Sequence, residues 1–276
     1  MSESLTRLLS GVVYVTLLLF VTSYSDSPNS FFLLFGFFML IAIYEFCQLI
    51  NINKILPIIV GGVAFYLGSQ FRTNKTNDIL ILIATLFVSI KCLLLLFNTK
   101  KEKIDTISKY IYLIGYVILP FIIIAKIPFD GNNFRPKIII SIFILIWTND
   151  TFAYIVGKSI GKHKLLEKIS PKKTIEGFFG GMVFSVLAGF LISKYYFHPN
   201  PKYFNTSVLI WTVSAIIISI FSTLGDLIES KFKRIAGVKD SGKIMPGHGG
   251  ILDRLDSIIF VAPFVFLFYQ ILDYVS

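Results

Sequence analysis

The chain has 276 residues, of which 55% are apolar and only 15% charged, and its mean hydropathy is +0.75. Those proportions exclude a water-soluble globular domain and define an integral membrane protein. The formal charge of +10 does not point to nucleic acid, because the basic residues gather beside the ends of apolar runs rather than on a soluble module.

Lipid offers no partners for backbone N–H and C=O groups, so each long apolar run must be a helix, with about 20 residues needed to cross. Nine runs are predicted, at 8–24, 31–50, 56–71, 79–97, 109–125, 137–157, 174–197, 206–229 and 254–275. The fold class is therefore all-α, a polytopic membrane protein with one embedded domain over 1–276, since no connecting segment is long enough to fold separately. The first run, preceded by Arg7 and followed by Ser23 to Ser27, has the outline of a cleaved signal peptide. It reads as a span instead, because Gly11 to Val21 passes straight on to further apolar runs and no exported soluble domain follows. The second run holds Glu45 about one turn from its end, read as a solvated or ion-paired acid. The third is short and contains glycine; Pro120 is predicted to kink the fifth and Pro263 to bend the ninth. Cys47 and Cys92 both fall within apolar runs and read as small buried hydrophobes.

Lysine and arginine set the orientation. With the N-terminus in the cytoplasm, that side receives 18 of the 26: Arg7, Lys54, four Lys in 100–109, six in 158–173 and six Lys or Arg in 231–254. The opposite side receives seven, Arg72, Lys75, Lys126, Arg135, Lys137, Lys194 and Lys202, while Lys91 lies within the fourth run. Anionic headgroups and nucleotide phosphates are the partners such a cytoplasmic face matches.

Polar chemistry begins in the sixth run. Asp150 lies about seven residues inside it, roughly 10 Å below the boundary at helical rise. A carboxylate at that depth is either functional or paired to a neighbouring helix, for which Lys91 is the available partner. Beyond it, Ser170 and Thr174 are placed to cap the seventh helix with Pro171 in its first turn, and Lys172 and Lys173 are membrane anchors or phosphate contacts.

The eighth run ends with Ser222, Asp226, Glu229 and Ser230 at helical spacing on one face. Asp226 sits about one turn inside the boundary, where a carboxylate usually has a partner, most simply a metal ion, or is solvated at the headgroups. Lys231, Lys233, Arg234, Lys239 and Lys243 follow, then Pro246-Gly247-His248-Gly249-Gly250, a turn predicted to leave backbone N–H groups free as an anion site. Asp253 and Asp256 open the ninth helix on a shared face, where acids also complement the helix dipole. His248 alone of His163, His198 and His248 lies in a motif.

The set Ser230, Lys233, Arg234, Lys239, Asp240, Pro246-Gly247-His248-Gly249-Gly250, Asp253, Arg254 and Asp256 resembles, position for position, the signature of phosphatidate cytidylyltransferases, also called CDP-diacylglycerol synthases. A second block resembles the same family: Trp147, Asn149, Asp150 and Tyr154, then Gly157, Lys158, Gly161, Lys162, Lys164, Leu165, and Ser170-Pro171-Lys172-Lys173-Thr174 with Glu176 and Gly177. It departs at Lys158, where many relatives have Arg, so a point charge stands in place of a bidentate fork. The resemblance is sharp from about 147 to 260 and general before that.

The resemblance implies transfer of a cytidylyl group from CTP to phosphatidic acid, giving CDP-diacylglycerol and pyrophosphate at the cytoplasmic side of the cell (inner) membrane. It implies Mg²⁺, with room for a second cation, on Asp226 and Asp253. Asp226, Asp253, Asp256, Lys233 and Asp150 are then the catalytic set, and Ser230, Arg234, Lys239, His248, Gly249, Gly250, Arg254, Lys172, Lys173 and Ser170 the substrate contacts. Residues 137–276 carry the catalytic helices and loops, residues 1–130 are mainly scaffold, and a homodimer is the assembly entertained. The lipid phosphate is ionised at neutral pH and needs little general-base help, so no covalent intermediate is expected. Two other readings stay open: another CTP-using lipid enzyme such as a polyprenol kinase, which releases CDP, and an anionic-solute transporter. Polar residues clustered on one face rather than through the membrane depth weigh against the transporter.

Overall fold

The computed structural model describes residues 3–23, 28–70, 74–98, 104–131, 133–197 and 201–275. Tyr24 to Ser27, Arg72, Lys100, Lys101, Lys103 and His198 lie outside the described residues, as do the side chains of Arg7 and Lys202. Within them the helices are α1 (Glu3–Ser23), α2 (Asn29–Leu49), α3 (Ile55–Gln70), α4 (Lys75–Phe97), α5 (Thr106–Tyr112), α6 (Leu119–Lys126), α7 (Pro136–Ile160), α8 (Ile175–Leu191), α9 (Phe204–Ala236) and α10 (Leu252–Val275). Two small antiparallel hairpins join them: β1 (Phe129–Asp130) with β2 (Asn133–Phe134), and β3 (Lys164–Leu166) with β4 (Ser170–Thr174).

Seven segments are long and apolar enough to cross a bilayer: α2, α4, the joined α5–α6, α7, α8 with its π-helical extension to Tyr196, α9 and α10. The first and third predicted runs form shorter apolar helices, Leu9–Ser23 and Ile55–Ser69. The protein is a multi-pass, all-α membrane protein. Its outer surface carries Val13, Leu33, Phe37, Leu94 and Phe179 exposed, a distribution that suits hydrocarbon rather than water. Phe46, Tyr116 and Phe232 stack edge-on and tilted in the interior. Cys47 and Cys92 are buried, free thiols.

The disturbance expected at Pro120 lies one turn earlier. A π-helical turn over Leu113–Ile118 joins α5 to α6, in the turn where the donor-less Pro120 leaves a carbonyl without an i→i−4 partner. Pro263 lies inside α10, which continues to Val275.

Helix ends differ from the hydropathy boundaries for a simple reason. Charged residues end an apolar run without ending a helix, so α9 runs on past 229 through Lys231, Lys233 and Arg234 to Ala236. At 33 residues it is about 50 Å long, well beyond a hydrocarbon core of about 30 Å. Gly237, at φ +71°, stops it, with Gly237 N–H donating to Arg234 O and Val238 N–H to Lys233 O, the left-handed ending that glycine permits. The polar segment 161–174 is also more ordered than a connector. Pro171 belongs to strand β4 rather than to a first helical turn, and Thr174 alone caps α8, its Oγ1 accepting from Gly177 N–H at 3.1 Å.

α7 packs on α8, α8 on α9 and α9 on α10, while α1 packs on α2 and α7. Close approach of α7 and α8 depends on Gly181, where a Cβ would come within 2.6 Å of Asn149 O. This row of helices brings the inner part of α7 and of α9 together with the start of α10 and His248 of the preceding loop.

Candidate active site

Asp150, Asp226, His248, Asp253, Arg254 and Asp256 line one cavity of about 330 Å³. Three elements deliver them. Asp150 comes from α7, Asp226 from α9, and the other four from the loop and first turn of α10. Asp150 and Asp226 also line a neighbouring cavity of about 240 Å³ with Lys172, Lys173 and Thr223, so the two carboxylates stand where both spaces meet. The two sequence blocks that are far apart along the chain thus form opposite walls of one site.

Ion pairs organise it. Lys173 Nζ, carried in by the β3–β4 hairpin, lies 2.7 Å from Asp226 Oδ2, and Ser230 Oγ, one turn on from Asp226, donates to Oδ1 at 3.3 Å. Burial disfavours charge on Lys173, but the facing Asp226 carboxylate and Asp150 behind it hold its ammonium above the ordinary lysine value. On the far side Lys233 Nζ pairs with Glu229 and lies 2.7 Å from Asp253 Oδ1. Glu229, 1% exposed, is therefore part of the charge network, joined to Lys233 by the i,i+4 geometry of α9. Asp150 takes a hydrogen bond from Asn149 Nδ2 at 3.3 Å. Lys91, its conceivable partner from sequence, instead places its ammonium 5.6 Å from the Phe87 ring centroid.

The loop is shaped by its own backbone. Met245 N–H donates to Gly249 O and His248 N–H to Met245 O, both at 2.9 Å, with Gly249 at φ +85°, a conformation that glycine adopts without strain. The hairpin on the opposite wall is tied by Glu176, which accepts from Lys162 N–H at 3.0 Å and meets His163 Nδ1 at 2.6 Å.

Two of the turn amides expected to be free for an anion, those of His248 and Gly250, are in use, as are the next two along the chain. Gly250 N–H donates to Asp253 Oδ2 at 2.7 Å, Ile251 N–H to Glu45 Oε1 at 3.1 Å and Leu252 N–H to Glu45 Oε2 at 2.8 Å. The protein's own carboxylates satisfy the N-terminus of α10, and they do so because a helix start attracts negative charge. Gly250 is needed for this, since a Cβ there would collide with both Glu45 oxygens and Ser241 Oγ. Glu45 is thus not a solvated acid. It is 1% exposed and serves as a cap, contributed by α2, on a distant helix. Ser241 Oγ lies 3.1 Å from Glu45 Oε2 and 2.9 Å from Asp253 Oδ2, and its single proton serves one carboxylate at a time.

Other predicted contacts lie apart. Lys239 lines a larger cavity of about 1080 Å³ on the other side of the loop, with Tyr44, Gln48 and Lys109. Arg234 is exposed and donates to Val238 O at 3.3 Å, where it finishes the α9 terminus. Ser170 stands at the far end of the hairpin, paired with Leu166, and lines neither carboxylate cavity. Sequence reasoning missed Ser241, Ser10 and the capping role of Glu45. Glu45 carried a signal, an acid inside an apolar run, whereas Ser241 and Ser10 carried none.

In and beside the cavity five carboxylates, Asp150, Asp226, Glu229, Asp253 and Asp256, face three side-chain cations, Lys173, Lys233 and Arg254. Such an excess of negative charge fits a hard divalent cation. Among the described residues no three His, Cys, Asp or Glu side chains are arranged to enclose a metal by themselves.

A family model described as the cytidylyltransferase family matches residues 5–272. A protein named phosphatidate cytidylyltransferase from Staphylococcus saprophyticus is 34% identical over 271 residues, covering 95% of each chain. One of the same name from Staphylococcus haemolyticus is also 34% identical with 95% of each chain covered. Another, from Staphylococcus aureus, is 46% identical over 150 residues, 54% of each chain.

Proposed function

This chain belongs to the cytidylyltransferase family, and on that premise we propose that it transfers a cytidylyl group from CTP to phosphatidic acid. A lipid phosphate oxygen forms a bond to the α-phosphorus of CTP, the bond between the α-phosphorus and its bridging oxygen breaks, and pyrophosphate leaves with that oxygen. The observation that carries this reading beyond family membership is the joining of the two motif blocks around one carboxylate cavity between α7, α9 and the start of α10.

The chemistry asks mainly for charge neutralisation and alignment. Lys173, Lys233 and Arg254 supply fixed positive charge, the first two already poised on Asp226 and Asp253 and so placed to shift between carboxylate and phosphate. Asp226 and Asp253 would hold Mg²⁺, whose charge would offset that of the phosphate oxygens. Asp256 accepts from Ser257 N–H at 2.7 Å and orients the first turn of α10. Glu45 and Ser241 keep Asp253 in place. The ionised lipid phosphate is its own nucleophile, so none of these residues needs to act as a strong base.

The lysine and arginine asymmetry supports placing the N-terminus and the loop on the cytoplasmic face of the cell membrane. There the acyl chains stay among the helices while the headgroup meets CTP. Purified protein supplied with CTP and phosphatidic acid tests the reading through its soluble product. Pyrophosphate released one-for-one with CDP-diacylglycerol supports it, and CDP released with a phosphorylated lipid replaces it with a lipid kinase.

A further inference from the structure

The cavity has a wall that the motif blocks do not supply. Tyr14 and Val15 of α1 line it together with Asp226 and Arg254. Helix α1 is held there by its preceding turn: Ser10 Oγ donates to Pro246 O at 3.0 Å and lies 2.7 Å from His248 Nδ1. Gly11 faces the same ring, with space for a Cβ 3.4 Å from it.

Tyr14 is 8% exposed, and its ring is tilted against Phe38 of α2 with centroids 6.1 Å apart. Its phenolic oxygen is buried and has no hydrogen-bond partner among the described residues. A buried hydroxyl without a partner is costly, and phenylalanine would fill the same space without that cost. A polar group kept in such a position is explained most simply by a partner that arrives with the substrate.

The place of α1 says which substrate. Val12, Val13 and Leu17 on its other face are exposed, as on a lipid-facing helix, and Phe143, Ile146 and Trp147 of α7 add apolar lining to the cavity beside it. Here hydrocarbon and the polar site adjoin. We propose that the Tyr14 hydroxyl donates a hydrogen bond to the phosphate of the lipid substrate, which makes α1 a substrate-contacting wall rather than scaffold. This rests on the cytidylyltransferase reading. A nucleotide phosphate offers the same acceptor chemistry, so the two sources are separated by measurement.

The test is Tyr14→Phe in the full-length protein, with wild type assayed alongside for CDP-diacylglycerol and with KM measured for each substrate. The expected result is a fall of about tenfold or more in kcat/KM for phosphatidic acid, the size of one hydrogen bond to a charged group. KM for CTP stays unchanged, and the thermal midpoint is equal to or above that of wild type, since an orphaned polar atom has been removed. Unchanged kcat/KM for phosphatidic acid overturns the proposal, as does a loss confined to CTP. A lowered midpoint also overturns it, because the hydroxyl would then be holding the fold. Wild type that forms no CDP-diacylglycerol removes the functional reading itself, whereas active wild type matched by the variant removes only Tyr14.

Discussion

Replacing Glu45 with Gln perturbs the site without touching either motif block. The carboxylate accepts from Ile251 N–H and Leu252 N–H at 3.1 and 2.8 Å and shares the proton of Ser241 Oγ, 3.1 Å away, with Asp253. Glutamine keeps the length but turns one acceptor into a donor facing donors, and it removes the negative charge at the start of α10. Hydrogen bonds to a charged group are worth about 1.5–3 kcal/mol against about 1 for neutral ones, and a helix terminus adds about 0.3–1. The combined loss is about 2–3 kcal/mol, which corresponds to a roughly 30- to 150-fold easier local opening. Hydrogen exchange in detergent reads this directly as faster exchange of the Ile251 and Leu252 amides, while the amides of α4 keep their rates. Turnover should fall with it, because Ser241 and Gly250 tie Asp253 to the same junction. Unchanged exchange at Ile251 and Leu252 would refute the capping argument.

Other outcomes follow from the same contacts. Gly250→Ala places a methyl against Glu45 and Ser241; overpacking of about 1–3 kcal/mol should appear as a lower thermal midpoint together with lost activity, and wild-type values for both would contradict the packing. Lys173→Met should lower kcat/KM about tenfold or more, by the same factor at about pH 6.5 and about pH 9. The sign follows from the facing Asp226, which holds the lysine above its ordinary value of 10.5. Its charge is then fully present below that value and is lost only at still higher pH. A deficit that shrinks between those two pH values would show that the ammonium already titrates there.

Much of the architecture was legible in the hydropathy pattern, because a bilayer leaves an apolar run little choice but helix. Where the reading stopped short, a second physical rule was acting. Charged residues ended the apolar run at 229 while helix propensity carried α9 to Gly237, and Pro171 looked like a helix start until hairpin pairing placed it in a strand. The two motif blocks were legible as resembling one family, but nothing in the spacing of either shows that Asp150 shares a cavity with Asp226 and Asp253. The partners of the buried acids were not legible either. Spacing within a segment cannot reveal that Glu45, some 200 residues earlier in the chain, caps α10, or that Ser10 reaches His248. For the same reason the Gly250 amide looked available, although Asp253 already occupies it and Glu45 occupies the next two amides.

The central claim is that the carboxylate cavity transfers the cytidylyl group. Cytidine-labelled CTP and phosphatidic acid, incubated with Mg²⁺ and purified wild type, Asp226→Asn or Asp253→Asn of matched thermal stability, test it most directly. Label should pass into the lipid phase with wild type and fall by at least about a hundredfold with either variant, as expected when a charged group essential to phosphoryl chemistry is removed. Label entering the lipid at the wild-type rate with both variants would contradict the account.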